Sequence, residues 1–239
     1  YLPRHAASAL IDGQVDAALV PVVDFFAHPA LRMVPGLGIG ADGDVTSVLL
    51  RCHRPLRTVA TVGLDPESKT SNVLAQIIGR EHFRLSCRVR YMADAAATDA
   101  NVCIGDRALC ARPSLETYDL AGEWKKMTGL PFVFAVWAVH QSCSHMEDIS
   151  RILHTAKHRG CRSRRQLAAL CSRRLGLAED RCYDYLANRL YYDLGPRQLE
   201  GMNLFRDLAA DFLTPAGNRE IREVAGHAER QDTITLERS

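Results

Sequence analysis

Three hydroxyls and a lysine occupy four consecutive positions, Ser68 to Ser71, within Asp65-Pro66-Glu67-Ser68-Lys69-Thr70-Ser71-Asn72. The stretch follows an apolar run and opens a helical one. Unpaired amides at such a helix start, at the positive end of its dipole, attract carboxylates and phosphates. Hydroxyls of Ser68, Thr70 and Ser71, with Asn72 beside them, would add donors to the same anion. A plain N-cap at Ser68 or Thr70, worth about 1 kcal/mol, explains the residues as well, and composition alone leans towards it. No glycine-rich phosphate loop occurs, which disfavours nucleoside triphosphates.

Two further places point to a bound ligand. Ile104-Gly105-Asp106-Arg107 ends an expected strand, where open α/β sheets collect their ligand sites. Asp106 there either accepts a substrate hydroxyl or caps a helix beginning at Arg107. In Val45-Thr46-Ser47-Val48, a serine buried in an apolar strand needs a partner, and a ligand is one candidate. Nucleophile elbows and dinucleotide fingerprints are absent, and none of the nine histidines lies in these stretches. A metal set can be assembled from Cys143, His145, His154, His158 and Cys161, with His154 and His158 one helical turn apart. That stretch is basic and lacks a carboxylate to orient the imidazoles, so a solvated helix face is the stronger reading. Neither a metal nor another cofactor is expected.

The elements that must position these residues follow from periodicity and punctuation. Pro3 to Asp12 reads as a helix with proline near its start and Gly13 past its end. Strands are expected at 17–20, 45–52, 59–64, 101–104 and 132–139, with a helical turn at 21–26. A helix at 72–78 is expected to close at Gly79. Continuously apolar strands alternating with helices predict a parallel sheet covered on both faces. After Val139 the character changes. Ser144-His145-Met146-Glu147 fits a capping box, and four helices are expected up to Leu213, punctuated by Gly160, Gly176 and Gly195-Pro196. Residues 216–239 are polar with little periodicity.

Composition narrows the function classes. With 47% hydrophobic and 24% charged residues in 239, the chain is globular and not disordered as a whole. Thirty basic against 28 acidic residues leave a formal charge of +2, too little to recommend nucleic acid as the partner. The arginine excess at 151–189 lacks the interleaved aromatics of a single-strand binder. The longest apolar run, Leu130 to Val139, is half the roughly twenty residues a membrane helix needs. Eight cysteines without a C-x-x-C pair read as reduced thiols of a cytoplasmic protein.

Five segments occur in an order that resembles the chorismate dehydratase family of the futalosine route to menaquinone. They are Asp16 to Pro21 (DAALVP), Val45 to Leu50 (VTSVLL), Ser68 to Ser71 (SKTS), Ile104 to Leu109 (IGDRAL) and Thr128 to Val139 (TGLPFVFAVWAV). Tyr118-Asp119-Leu120 with Glu123-Trp124, and Glu200-Gly201 near Phe205, also fit, so the resemblance spans residues 3–213. It implies an α/β, two-lobed fold like type II periplasmic binding proteins, with a helical C-terminal region. Lobe I would hold residues 1–48 and lobe II residues 49–136. Residues 137–215 would return to lobe I, ahead of the polar tail.

The implied activity is a hydro-lyase step that converts chorismate to 3-[(1-carboxyvinyl)oxy]benzoate without a cofactor. Ser47 and Asp106 would serve the reacting part of the substrate. Ser68, Thr70, Ser71, Asn72, Gly105, Phe132 and Phe134 would line the cleft. The only partner implied is that small molecule, with no nucleic acid and no membrane; oligomeric state stays open. No histidine or lysine falls in a motif as the base, which leaves a carboxylate of the substrate itself to take the proton. Family members open with a strand and a loop whose Asn reaches the cleft. This sequence enters at the following helix, so that strand is expected upstream of Tyr1. Two alternatives are the related 1,4-dihydroxy-6-naphthoate synthase, less well matched by SKTS and TGLPFVFAVWA, and a non-catalytic binder of an aromatic carboxylate. Eight cysteines argue against an exported binder.

Overall fold

A computed structural model describes residues 3–91 and 98–212, so the tail at 216–239 lies outside the described residues. Helix α1 (Pro3–Ile11) runs into Gly13, whose φ of +68° suits a residue without Cβ. Strand β1 (Ala17–Pro21) leads directly into α2 (Val22–Ala27). The next element, β2 (Leu31–Ala41), is a long strand where Pro35, Gly36, Gly38 and Gly40 suggest turns. Its register against a later strand slips between Met33 and Gly38 and again between Ile39 and Gly40. A Cβ on Gly38 would lie 2.5 Å from the Ala135 carbonyl oxygen, so glycine permits the close backbone approach at this irregularity.

The chain then builds a second sheet. Its strands are β3 (Val48–Cys52), β4 (Thr61–Leu64), β5 (Arg88–Tyr91), β6 (Ala100–Ile104) and β7 (Glu116–Asp119). They lie in the order β5-β4-β6-β3-β7; the β5–β4 and β4–β6 pairs are parallel and the two pairs made by β3 are antiparallel. The return strand β8 (Phe132–His140) inserts between β1 and β2, antiparallel to both, and β9 (Tyr191–Asp193) borders β2. The expected parallel sheet is therefore corrected. Both β3 and β8 are reached after the chain crosses from the other sheet, and each runs against its new neighbours.

Two strands start later than expected. β3 begins at Val48, because Thr46 takes a φ of +64° that breaks the strand; β4 begins at Thr61, after a 3-10 turn at Leu56–Thr58. Helix α3 (Lys69–Ile77) starts three residues early and continues past Gly79 as a π-turn, Ile78–His82. The short α4 (Gly105–Leu109) follows β6, and α5 (Leu120–Thr128) follows β7. Asp119 caps α5 by accepting from the Ala121 and Gly122 amides at 3.1 Å each.

Among the described residues four α-helices follow β8: α6 (Met146–Arg162), α7 (Arg164–Leu175), α8 (Glu179–Asp184) and α9 (Pro196–Leu208). The capping box at Ser144 does not form: His145 is the N-cap and makes no side-chain bond. Gly160 sits inside α6, and the break falls at Ser163 instead. Helix α6 buries no residue and α7 only Ala168, so the arginine-rich stretch is largely solvated. Among the described residues no helix is long and apolar enough to cross a membrane.

The principal core joins both sheets through an aromatic cluster. Phe132 meets Trp124 at 5.4 Å and Phe205 at 4.9 Å, edge to face, bringing α5, β8 and α9 together. Each such ring contributes ~1.5–3 kcal/mol through burial. At 1% exposure Phe132 is sealed within this core. Helix α9 comes so close that a Cβ on Gly201 would sit 2.1 Å from the Pro131 carbonyl oxygen.

Candidate functional site

Ser47 owes its position to a strained neighbour. A β-branched residue at φ +64° is disfavoured, and Thr46 is held there by Asp119, whose Oδ2 accepts its amide at 2.5 Å. Burial pushes the Asp119 carboxyl up, against amide donors that include Thr46 and Gly122. The bend turns Ser47 out of the strand and leaves it buried. Its carbonyl accepts from the Gly105 amide at 2.8 Å, and its hydroxyl accepts from the Tyr185 hydroxyl at 3.1 Å. Tyr185 opens a π-turn, Tyr185–Arg189, that continues α8. Burial pushes its phenol up, so it stays a donor at neutral pH. Sequence reasoning missed Tyr185 because 138 positions separate it from Ser47 and no motif contains it.

The start of α3 contains both a cap and unused donors. Ser68 is the N-cap: its Oγ accepts from the Ser71 amide at 3.2 Å and donates to the Ser71 Oγ at 2.8 Å. Thr70 Oγ1 accepts from the Val23 amide of α2 at 3.4 Å. Thr70 and Ser71 are each only 3% exposed, and both keep a hydroxyl hydrogen to give. Asn72 is different. Its side chain bridges the Asp65 amide and carbonyl at 2.9 and 2.7 Å, which closes the Asp65–Asn72 loop and commits its donors. No acidic residue lies in the first turn of α3, and its leading amides have no intrahelical partner.

Ion pairs tie this helix start to its surroundings. Lys69 reaches Asp24 of α2 at 2.7 Å, and Arg107 of α4 reaches Asp65 at 2.6 Å. Gly105 opens α4 with a φ of +60°. The next residue, Asp106, is exposed and pairs with Arg174 of α7 at 2.9 Å. The starts of α2, α3 and α4 are thus linked to one another, with Ser47 and Tyr185 alongside. Phe134 is half-buried and meets Phe132 edge to face at 4.8 Å. Among the described residues no three His, Cys, Asp or Glu side chains are grouped to hold a metal ion.

Such an arrangement can offer neutral donors to an anion, with a fixed hydroxyl beside it. Its carboxylates are already engaged: Asp24 and Asp65 by cations, Asp106 by Arg174, Asp119 by amides.

Known proteins share this chain's sequence and fold. It is 29% identical over 228 residues to the chorismate dehydratase of Thermus thermophilus, covering 86% of this chain and 84% of that protein. Identity to the chorismate dehydratase of Campylobacter jejuni is 30% over 136 residues, which cover 56% of this chain and 49% of that protein. The periplasmic aliphatic sulphonate binding protein SsuA of Escherichia coli superposes with a TM-score of 0.57 at 19% identity. That match covers 86% of this chain and 76% of SsuA, and the fold is the two-lobed α/β fold of such binding proteins. The family model described as menaquinone biosynthesis matches residues 2–211, and the chain belongs to that family.

Proposed function

We infer that this chain is a chorismate dehydratase, a hydro-lyase that removes water from chorismate to give 3-[(1-carboxyvinyl)oxy]benzoate. The observation that carries the reading is the buried, acid-free start of α3 linked to the Ser47 loop. One ring C–H bond and the neighbouring C–OH bond break, water leaves, and the ring becomes aromatic. Aromatisation drives the reaction, so the protein chiefly holds a dianion and selects which bonds break.

The leading amides of α3 and the Thr70 and Ser71 hydroxyls hold one carboxylate of the substrate. Ser68 and Asn72 build the turn that presents them. Ser47 orients the reacting carbons, and Tyr185 fixes its hydroxyl. Asp106 sits beside a dianion at an electrostatic cost that Arg174 offsets. Gly105 shapes the α4 start, and Phe134 borders the ring with Phe132 packed behind it. A carboxylate of the substrate takes the ring proton, because the neighbouring protein carboxylates are engaged elsewhere. One lobe carries the sheet of β1, β8, β2 and β9 and the other the sheet drawn from residues 48–119, closing around the ligand; the expected boundary at 136 cuts β8 and moves back to the start of that strand. Eight unpaired thiols fit an enzyme of the cytoplasm.

Incubating the chain with chorismate and following the product by mass spectrometry tests the reading. Water loss with formation of the aromatic acid is expected. Binding without turnover would make the chain a solute binder instead. A variant of one cleft residue that stops proton abstraction with affinity intact would identify a protein base and remove the substrate from that role.

A further inference from the structure

The first sheet is covered unequally on its two faces. On one face Ala18, Val20 and Ala138 pack against Ala6, Ala7 and Leu10 of α1. On the other, Leu19, Ile39 and Trp137 stay partly exposed. Met146 and Ile149 at the start of α6 pack there against the cluster of Val34, Leu37 and Val139. Further along, Ala156 and Gly160 stand off the sheet, and a cavity of about 340 Å³ remains between the sheet, α6 and α7. A Cβ on Gly160 would meet nothing within 4 Å. The volume lies at the small end of ligand sites, and the walls are almost wholly apolar.

Two cations reach this lining. Lys157 is already taken by Asp193. Arg164, the first residue of α7, is not: its Nε is buried, and none of the described residues accepts its hydrogen. The guanidinium lies 5.7 Å from the centroid of the Tyr192 ring, a contact that satisfies no N–H. Tyr192 supplies no negative charge either. Burial pushes its phenol up to about 12, and its hydroxyl donates to the Leu186 carbonyl at 3.2 Å. A buried cationic N–H without an acceptor is costly, which favours a ligand that brings one.

We propose that this cavity binds a flat aromatic monocarboxylate of about two rings, with its carboxylate on Arg164 and its rings against Trp137. The volume is more than twice the roughly 150 Å³ that admits benzene, so two fused rings fit. Flat rings suit walls that include Trp137 and Tyr192. One unengaged cation answers one negative charge. A second carboxylate would be buried without a partner, so a dianion such as chorismate is disfavoured here. Sugars and nucleotides would leave their hydroxyls unmatched on these walls. None of the lining residues belongs to the α3 start, so the two sites are separate.

Calorimetry on the whole chain with 2-naphthoate gives the test. One molecule should bind per chain, and neutral 2-naphthalenemethanol at least about tenfold more weakly, as a lost charge-assisted bond requires. Arg164→Met should weaken 2-naphthoate by the same factor and leave the alcohol unchanged. Gly160→Leu, a change the helix favours, should fill the cavity and abolish binding of both, with circular dichroism unaltered. If that variant fails to fold, Ala156→Leu at an exposed helical position replaces it. Ser71→Ala should leave 2-naphthoate affinity as it was. Unchanged affinity in Arg164→Met, or a loss in Ser71→Ala, would put the acid elsewhere and overturn the site. Tighter binding of decanoate than of 2-naphthoate would overturn the aromatic class. No binding at millimolar 2-naphthoate overturns the proposal, and chain dimers in sedimentation would then give the cavity to a second copy.

Discussion

Helices α3 and α4 begin beyond the ends of adjacent parallel strands, β4 and β6, yet their starts are equipped in opposite ways. α3 opens with hydroxyls, has no acid in its first turn and is buried. α4 opens with a glycine and an exposed aspartate that α7 neutralises. Position at the end of a strand is therefore not what makes a helix start an anion site. The anion site proposed at α3 rests instead on burial without an acid in the first turn, which removes competing water and leaves neutral donors to be satisfied.

Four substitutions would break or sharpen that contrast. Ser47→Ala removes the hydroxyl between the two starts, and kcat should fall about 100-fold with KM little changed. Steady-state kinetics with chorismate reads this, and an unaltered kcat would take the reacting centre away from Ser47. Ser71→Ala weakens a bond to a charged group by about 1.5 kcal/mol, so chorismate affinity by calorimetry should drop about tenfold. Equal affinity would move the carboxylate off α3. Tyr185→Phe keeps the packing and loses one neutral hydrogen bond of about 1 kcal/mol, which should lower kcat about fivefold at unchanged KM. A purely structural tyrosine would instead leave kcat alone and lower the melting temperature. Asp106→Asn breaks an exposed ion pair, so affinity and rate should stay within about twofold. A larger loss would give α4 the standing claimed here for α3.

What was legible in the residues was local. Capping chemistry lies within four positions, so the α3 start could be read from Ser68 to Ser71, including the ambiguity that Ser68 then resolved as the cap. The two-lobed fold and the family came from segment order, which survives the loss of detail between segments. Contacts across the chain were not legible. Tyr185 reaches Ser47 from far along the sequence, and only the packing of α8 brings it there. Asn72 looked like one more donor until its partner, the Asp65 backbone, was visible. Strand β2 was hidden by a proline and three glycines that normally mark turns; here they serve irregular pairing. Phe132 and Phe134 carry the same side chain two positions apart on one strand, yet only Phe132 is sealed by α9 and α5.

The insertion of β8 between β1 and β2 bears on how the chain is made. Those two strands do not pair with each other, so among the described residues neither has a backbone partner until residues 132–140 emerge from the ribosome. The second sheet, drawn entirely from residues 48–119, is complete before then. Synthesis therefore passes through an interval in which a finished inner lobe trails two open strand edges. During that interval the nascent chain is most exposed to mispairing and most in need of a holdase.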